Sequence, residues 1–150
     1  MNKSFEKFYR AKKGVFITLV IVLLLIFPPI LIYFNSQIPK VYIFLIVYYL
    51  PVSVLVWMYF GTSYWIKEKT FFYTCSLIKG EIAIDSIKGL EIGVSMYSGI
   101  KPALAFRGII IKYNKFDDIY IAPENNEEFM NDLLAINPTI KINYGVGKNK

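Results

Sequence analysis

Two stretches free of charged side chains dominate the first sixty residues, Val15–Phe34 and Val41–Phe60. Twenty residues of helix at about 1.5 Å each span about 30 Å, the hydrocarbon thickness of a bilayer. Apart from tyrosines, the only hydroxyl-bearing residues in these runs are Thr18 and Ser53. Each is able to bond back to a carbonyl of its own helix. The connector at 35–40, Asn-Ser-Gln-Ile-Pro-Lys, suits a chain reversal, so the pattern predicts an antiparallel membrane hairpin. Pro28, Pro29 and Pro51 lie inside the runs. They predict kinks near Leu24–Leu25 and near Val47, with the freed carbonyls satisfied by neighbouring groups. The first run is too long for a signal-peptide core and its exit lacks a small-residue cleavage site, which predicts a retained anchor.

After Gly61 the period changes. Tyr64 and Ile66 alternate with polar or amphipathic neighbours, and 70–76 is aromatic and β-rich. Ile82 and Ile84 alternate with Glu81, Ala83 and Asp85, and Leu90, Ile92 and Val94 with Glu91 and Gly93. Residues 107–113 and 119–122 read as two further strands. Turns are expected at 67–69, 77–80 and 114–117, and a long loop at 95–106. Pro123 and the carboxylates Glu124, Glu127 and Glu128 suit the first turn of a helix. Phe129, Met130, Leu133 and Leu134 form its apolar face, and Asn137-Pro138 ends it. The expected architecture is a membrane α-helical hairpin plus an α+β, mostly β, soluble domain. In that domain a curved antiparallel sheet of about six strands is capped by a C-terminal helix. The divisions are a basic tail (1–14), the hairpin (15–34 and 41–60), the soluble domain (61–140) and a flexible tail (141–150).

Charge adds an orientation. The net charge is +6, and it is concentrated before the first span, where Lys3, Lys7, Arg10, Lys12 and Lys13 face only Glu6. Residues 61–150 are nearly balanced, with eleven basic and ten acidic side chains, which argues against a nucleic-acid partner. Cytoplasmic flanks of membrane helices carry the excess of Lys and Arg. A two-pass protein of the cytoplasmic membrane with both termini inside is therefore expected. Tyr33, Phe34 and Tyr42 would mark one interface, and Trp57, Tyr59, Tyr64 and Trp65 the other. Phe5, Phe8 and Tyr9 interleave with the basic residues, as in a short helix lying on an anionic leaflet. A merely solvated basic tail fits equally well. Lys3, Lys7, Arg10, Lys12 and Lys13 are the candidate lipid contacts.

Candidate chemistry is sparse. The chain has no histidine and one cysteine, Cys75, which excludes an internal disulfide and a Cys/His metal cluster. Cys75 sits in an apolar strand and reads as a small core residue. Asp117-Asp118 falls in a turn, the glutamates at 124–128 are explained by the helix dipole, and Gly93, Gly99 and Gly108 lack phosphate-loop spacing. No catalytic residue and no cofactor is expected. The long loop carries Met96, Tyr97, Ile100 and Pro102, apolar side chains that either close one end of the sheet or form a partner-binding surface.

The order of these apolar positions carries a resemblance. It runs from Tyr64-Trp65-Ile66 through Ile82-Ala83-Ile84 and Ile87 to Ala103-Leu104-Ala105 before Arg107. It closes with Ile119-Tyr120-Ile121-Ala122-Pro123, Phe129, Leu133 and Asn137-Pro138. Across about 62–140 the chain resembles the bacterial pleckstrin-homology-like (PH-like) domain family, YyaB-like group, whose members commonly follow one or two membrane helices. The resemblance implies a PH-like fold and a non-catalytic binding role, with an unknown protein partner or a homo-oligomer. It carries over no ligand residues. Inositol-phosphate binding by eukaryotic-type domains uses basic residues clustered in the first hairpin. Here Lys67 and Lys69 are split by Glu68 without an arginine, so a phosphoinositide ligand is not expected. Lys101 and Arg107 flank the long loop, where an anionic partner or an ordinary surface ion pair would engage them. The alternative functional reading is a bacteriocin-immunity or membrane-defence protein. An enzyme or transporter is the weakest, because the spans hold no ionisable group other than tyrosine.

Overall fold

The computed structural model describes residues 6–34, 41–95, 103 and 105–145. The chain opens with strand β1 (Glu6–Arg10), followed by helices α1 (Val15–Phe34) and α2 (Val41–Phe60). Strands β2 (Thr62–Lys67), β3 (Thr70–Cys75) and β4 (Ile78–Ala83) come next. A single 3₁₀ turn at Ile84–Ser86 leads into β5 (Ile87–Val94), β6 (Gly108–Tyr113) and β7 (Asp117–Ile121). Helix α3 (Asn126–Ile136) and β8 (Lys141–Tyr144) complete the fold. The strands form two four-stranded sheets, ordered β1-β2-β3-β4 and β7-β6-β5-β8. Every pairing is antiparallel except β5 with β8.

Two helices are long and apolar enough to cross a membrane. Their packing answers a specific backbone problem. Proline has no N–H, so Pro28 and Pro29 leave the carbonyls of Leu24 and Leu25 without their helical donors. The hydroxyls of Tyr48 and Tyr49, adjacent on α2, donate to those same two carbonyls, each at 3.1 Å. Helix α1 therefore continues through the proline pair to Phe34. A third tyrosine, Tyr59, shares a 2.8 Å hydrogen bond with Thr18, whose hydroxyl also reaches the Gly14 carbonyl. Ser53 bonds back to Leu50.

The N-terminal segment departs from expectation. It is a strand and not a surface helix, with Glu6↔Lys67, Phe8↔Trp65 and Arg10↔Ser63 in register on β2. Five residues that mix charged and aromatic side chains, Glu-Lys-Phe-Tyr-Arg, fit either period. Burial decides it, because Tyr9 enters the main core and its ring meets Phe129 edge-on at 5.0 Å. The two apolar helices thus interrupt a β-hairpin, and the domain's first strand lies before them. The basic tail and the soluble domain are not separate units.

Three smaller corrections have similar causes. The turn expected at 77–80 is confined to Ser76 and Leu77, and Ile78, Lys79 and Gly80 already pair with Cys75, Thr74 and Tyr73. The tail expected to be loose opens with β8, which runs parallel to β5. Tyr64 does not mark an interface, because it is fully buried.

The sheets meet at one corner through an isolated bridge between Ala11 and Pro123. Lys12 N–H donates to the Ala122 carbonyl at 2.7 Å, and Glu124 N–H donates to the Arg10 carbonyl at 3.0 Å. This is why Pro123 precedes α3 instead of starting it. The cap is Asn125, whose side chain accepts the Glu128 N–H at 3.2 Å. Phe129 and Leu133 on α3 are fully buried with Tyr64, Ile66, Phe71, Ile109 and Ile111 of β6, and Ile119 and Ile121 of β7. Asn137 closes the helix and donates to the Ile84 carbonyl.

If β1 completes the sheet, a chain in which residues 13–61 are replaced by a short Asn-Gly turn should be soluble and unfold cooperatively. A chain of residues 61–145 alone should lack a cooperative thermal transition by circular dichroism. Equal behaviour of the two would show that β1 is dispensable.

Candidate functional site

The end of the domain nearest the helices concentrates its unusual features. Two chain crossings converge there, from β1 into α1 and from α2 into β2. Gly61, at the second crossing, makes a close approach possible, since a Cβ there would lie 2.5 Å from Ser76 Oγ and 2.9 Å from the Trp57 carbonyl. Ser76 donates from its N–H to the Gly61 carbonyl (3.1 Å) and from its hydroxyl to the Trp57 carbonyl (2.9 Å). The β3–β4 turn is thereby fastened to the last turn of α2. It presents Leu77, 76% exposed, at that level. On the other side, exposed Phe106 packs on Phe16 in the first turn of α1 at 6.3 Å.

Between the two crossings lies a cleft of about 460 Å³ lined by Phe8, Arg10, Ala11, Lys13, Tyr59, Phe60, Gly61, Thr62, Ser63 and Glu124. Lys13 places its ammonium over the rings of Phe60 (4.5 Å) and Tyr59 (5.1 Å). Of the five basic residues anticipated as lipid contacts, Arg10 and Lys13 share this cleft. Lys12 is exposed at the sheet corner, and Lys3 lies outside the described residues. Lys7 has a different task. Its ammonium pairs with Asp132 and, at 2.8 Å, with Glu128, both on α3. These hydrogen bonds raise its pKa above the ordinary 10.5. Tyr9 also donates to Asp132.

The loop residues Met96, Tyr97, Ile100 and Pro102 lie outside the described residues. The loop's return is fixed. Ala103 and Ala105 are buried, and Tyr120 donates to the Ala105 carbonyl (2.8 Å) while accepting the Gly108 N–H (2.9 Å). Gly108 is required there, because a Cβ would meet the Ile121 carbonyl at 2.1 Å. Lys67 and Lys69 occupy the β2–β3 turn at the far end of β2 from the helices, and Lys69 pairs with Asp85 at 3.6 Å. Because β1 precedes the helices, that turn is not the first hairpin. The connection following β1 carries Lys12 and Lys13.

One surface was missed by sequence reading. Register aligns Phe8, Trp65, Phe72 and Glu81 in one row across β1 to β4, on the face opposite the core. Trp65 and Phe72 stack at 5.5 Å with planes 7° apart, and Phe8 is 62% exposed. Rows of Arg10, Ser63, Thr74 and Lys79, and of Glu6, Lys67, Thr70 and Ala83, flank it. The row depends on β1 joining this sheet, which the sequence pattern disguised.

Among the described residues, no group of three or more Cys, Asp and Glu side chains is placed to hold a metal ion. Cys75 is buried and accepts the Thr62 hydroxyl at 3.1 Å. A family description, Bacterial PH domain, matches residues 62–137. No curated protein and no solved structure matches the chain. The match begins at β2, where the domain resumes after the helices.

Burial raises the Tyr64 phenol, and burial together with the Asp132 carboxylate raises that of Tyr9, both well above the ordinary 10.0. The folded chain therefore keeps protons that the unfolded chain releases above about pH 10. Stability falls with rising pH wherever the native state binds more protons, by up to about 1.4 kcal/mol per pH unit for each such group. Lys7, also raised, acts in the same direction. The thermal midpoint in detergent micelles should be flat from about pH 7 to 9 and fall above about pH 10. Tyr9→Phe should cost about 1–2 kcal/mol at neutral pH and make the alkaline fall shallower. An unchanged alkaline slope in that variant would contradict the Tyr9 assignment.

Proposed function

The chain belongs to the bacterial PH domain family, a generic binding module, and from that premise we propose that it is a non-catalytic binding module anchored in the cytoplasmic membrane. In this reading it holds a protein partner or a second copy of itself at the membrane surface. The observation that carries the reading is the aromatic row of Phe8, Trp65 and Phe72 on an outward sheet face whose first two strands run directly into the two membrane helices. Aromatic side chains supply much of the energy at protein interfaces for little conformational cost. Charged residues of both signs, Glu6, Arg10, Lys67, Lys79 and Glu81, border the row and suit a polar rim.

Membrane anchoring is supported by the two uncharged twenty-residue helices. Fewer than one in eight residues of the apolar window in either helix is covered by the rest of the chain. Five basic residues precede α1, and this basic flank supports a cytoplasmic orientation of the domain. Contact rather than catalysis is supported by the side-chain chemistry. The sequence lacks histidine, the only thiol is buried in an apolar strand, and the carboxylates Glu128, Asp132 and Glu91 are engaged by Lys7 and Lys112. General acid–base or nucleophilic chemistry needs a poised group of a kind these side chains do not offer.

A photo-crosslinking amino acid at Phe8 in the membrane-embedded chain should give a discrete protein adduct. One at Lys115, in the distal β6–β7 turn, should not. Trp65→Ala should reduce the Phe8 adduct about tenfold or more if Trp65 is a binding hot spot. Adducts to lipid alone, or a protein adduct indifferent to Trp65→Ala, would contradict the proposal.

A further inference from the structure

The cleft between the two chain crossings has a composition that the aromatic row does not explain. Arg10 reaches it from the outward face of β1, and Lys13 from the linker two residues before α1 begins. Among the described residues neither cation forms an ion pair. The apolar wall is Phe8, Tyr59 and Phe60, and the last two end the uncharged run of α2. Ser63 adds a hydroxyl. Glu124 is the acidic member, fixed beside Arg10 by the 3.0 Å backbone bond between them.

Depth identifies the ligand chemistry. If α1 and α2 cross the bilayer, hydrocarbon ends where the uncharged runs end, at Val15 and Phe60. The next layer outward is the phosphate level of the headgroups. The cleft occupies that layer between the two crossings. Lys13 lying over two aromatic rings is an arrangement that keeps a cation at an apolar boundary. An arginine fork and an ammonium there match a phosphodiester, which accepts charge-assisted hydrogen bonds from both. The excess of one positive charge over Glu124 favours a headgroup with net negative charge over a zwitterionic one.

We propose that this cleft binds the headgroup of an anionic glycerophospholipid, with Arg10 and Lys13 on the phosphate and the acyl chains lying along Tyr59 and Phe60. Glu124 sets the selectivity. It disfavours multiply charged phosphates and leaves room for a single phosphodiester. The proposal rests on the helices crossing the membrane and is independent of the protein partner. Bound lipid would brace the hairpin at its base, where β1 and β2 enter it, and so hold the aromatic row at a fixed height above the bilayer.

The test uses the full chain in non-ionic micelles and titrates dioctanoyl phosphatidylglycerol by calorimetry. Binding is expected to weaken about tenfold in Arg10→Gln and again in Lys13→Gln, and to tighten in Glu124→Gln. That gain could not arise from misfolding. Lys79→Gln, on the same sheet face but away from the cleft, should bind as the parent does. Dioctanoyl phosphatidylcholine should bind at least about tenfold more weakly than phosphatidylglycerol. Inorganic phosphate should not compete. Phosphatidylglycerol binding indifferent to Arg10 and Lys13 would overturn the site. Competition by inorganic phosphate at equal concentration would overturn the lipid as its ligand. Recovery of the chain in the soluble fraction without detergent would instead overturn the membrane reading on which the site depends.

Discussion

The pairing of β1 with β2 is the contact on which the rest of the structure depends. These strands lie on either side of some fifty residues of apolar helix and connector, yet they meet residue for residue from Glu6↔Lys67 to Arg10↔Ser63. The consequence is mechanical. A domain appended after a membrane hairpin has one covalent tether and swings on it. Here both helices continue into adjacent strands of one sheet, so antiparallel helices and antiparallel strands impose their directions on each other. Tyr9 and Lys7 extend the connection inward, tying β1 to α3 through Phe129, Asp132 and Glu128. The strand that leads into the helices is thereby joined to the core of the domain.

A second constraint acts within the helices. Away from water an unpaired carbonyl costs several kcal/mol, and Pro28-Pro29 creates two in succession. Adjacent tyrosines on the partner helix match adjacent orphan carbonyls. The proline pair thus makes α1 dependent on α2 at one register. What in isolation is a defect becomes a device that fixes how the helices align, and through them how β1 and β2 enter the sheet.

Much of this was legible in the sequence, and the failures have identifiable causes. The spans, β2 and β3, the later strands and the apolar face of α3 followed from charge-free length and from periods of two and three to four. Backbone rescue of the prolines was expected in kind, though not the tyrosines that provide it. The first strand was hidden because Lys7, Phe8, Tyr9 and Arg10 interleave as a surface helix would, and because its partner is far away in sequence. Local pattern carries no information about a pairing that closes over a fifty-residue helical insertion. The same oversight concealed the aromatic row, which exists only when β1 is added to β2 and β3. It also misplaced the first hairpin at Lys67 and Lys69. The cleft was half visible. Arg10 and Lys13 stood out as basic residues before a span, but Lys7, indistinguishable from them in sequence, is spent on α3. The short β8 was missed because it pairs in parallel with a strand distant in sequence and leads straight into glycine- and lysine-rich residues.

The most direct measurement of the central claim is proximity across the hairpin in the intact membrane. In a chain with Cys75 replaced by alanine, cysteines placed at Phe8 and Trp65 should be joined rapidly by a short bifunctional thiol reagent. Directly opposed residues on neighbouring antiparallel strands hold their Cβ atoms about 5 Å apart. A pair at Phe8 and Lys115, on opposite ends of the domain, should remain unlinked under the same conditions. The account predicts near-complete linkage of the first pair and none of the second. Failure of the Phe8–Trp65 pair to link in a folded, membrane-embedded chain would mean that the N-terminal segment is not part of the sheet.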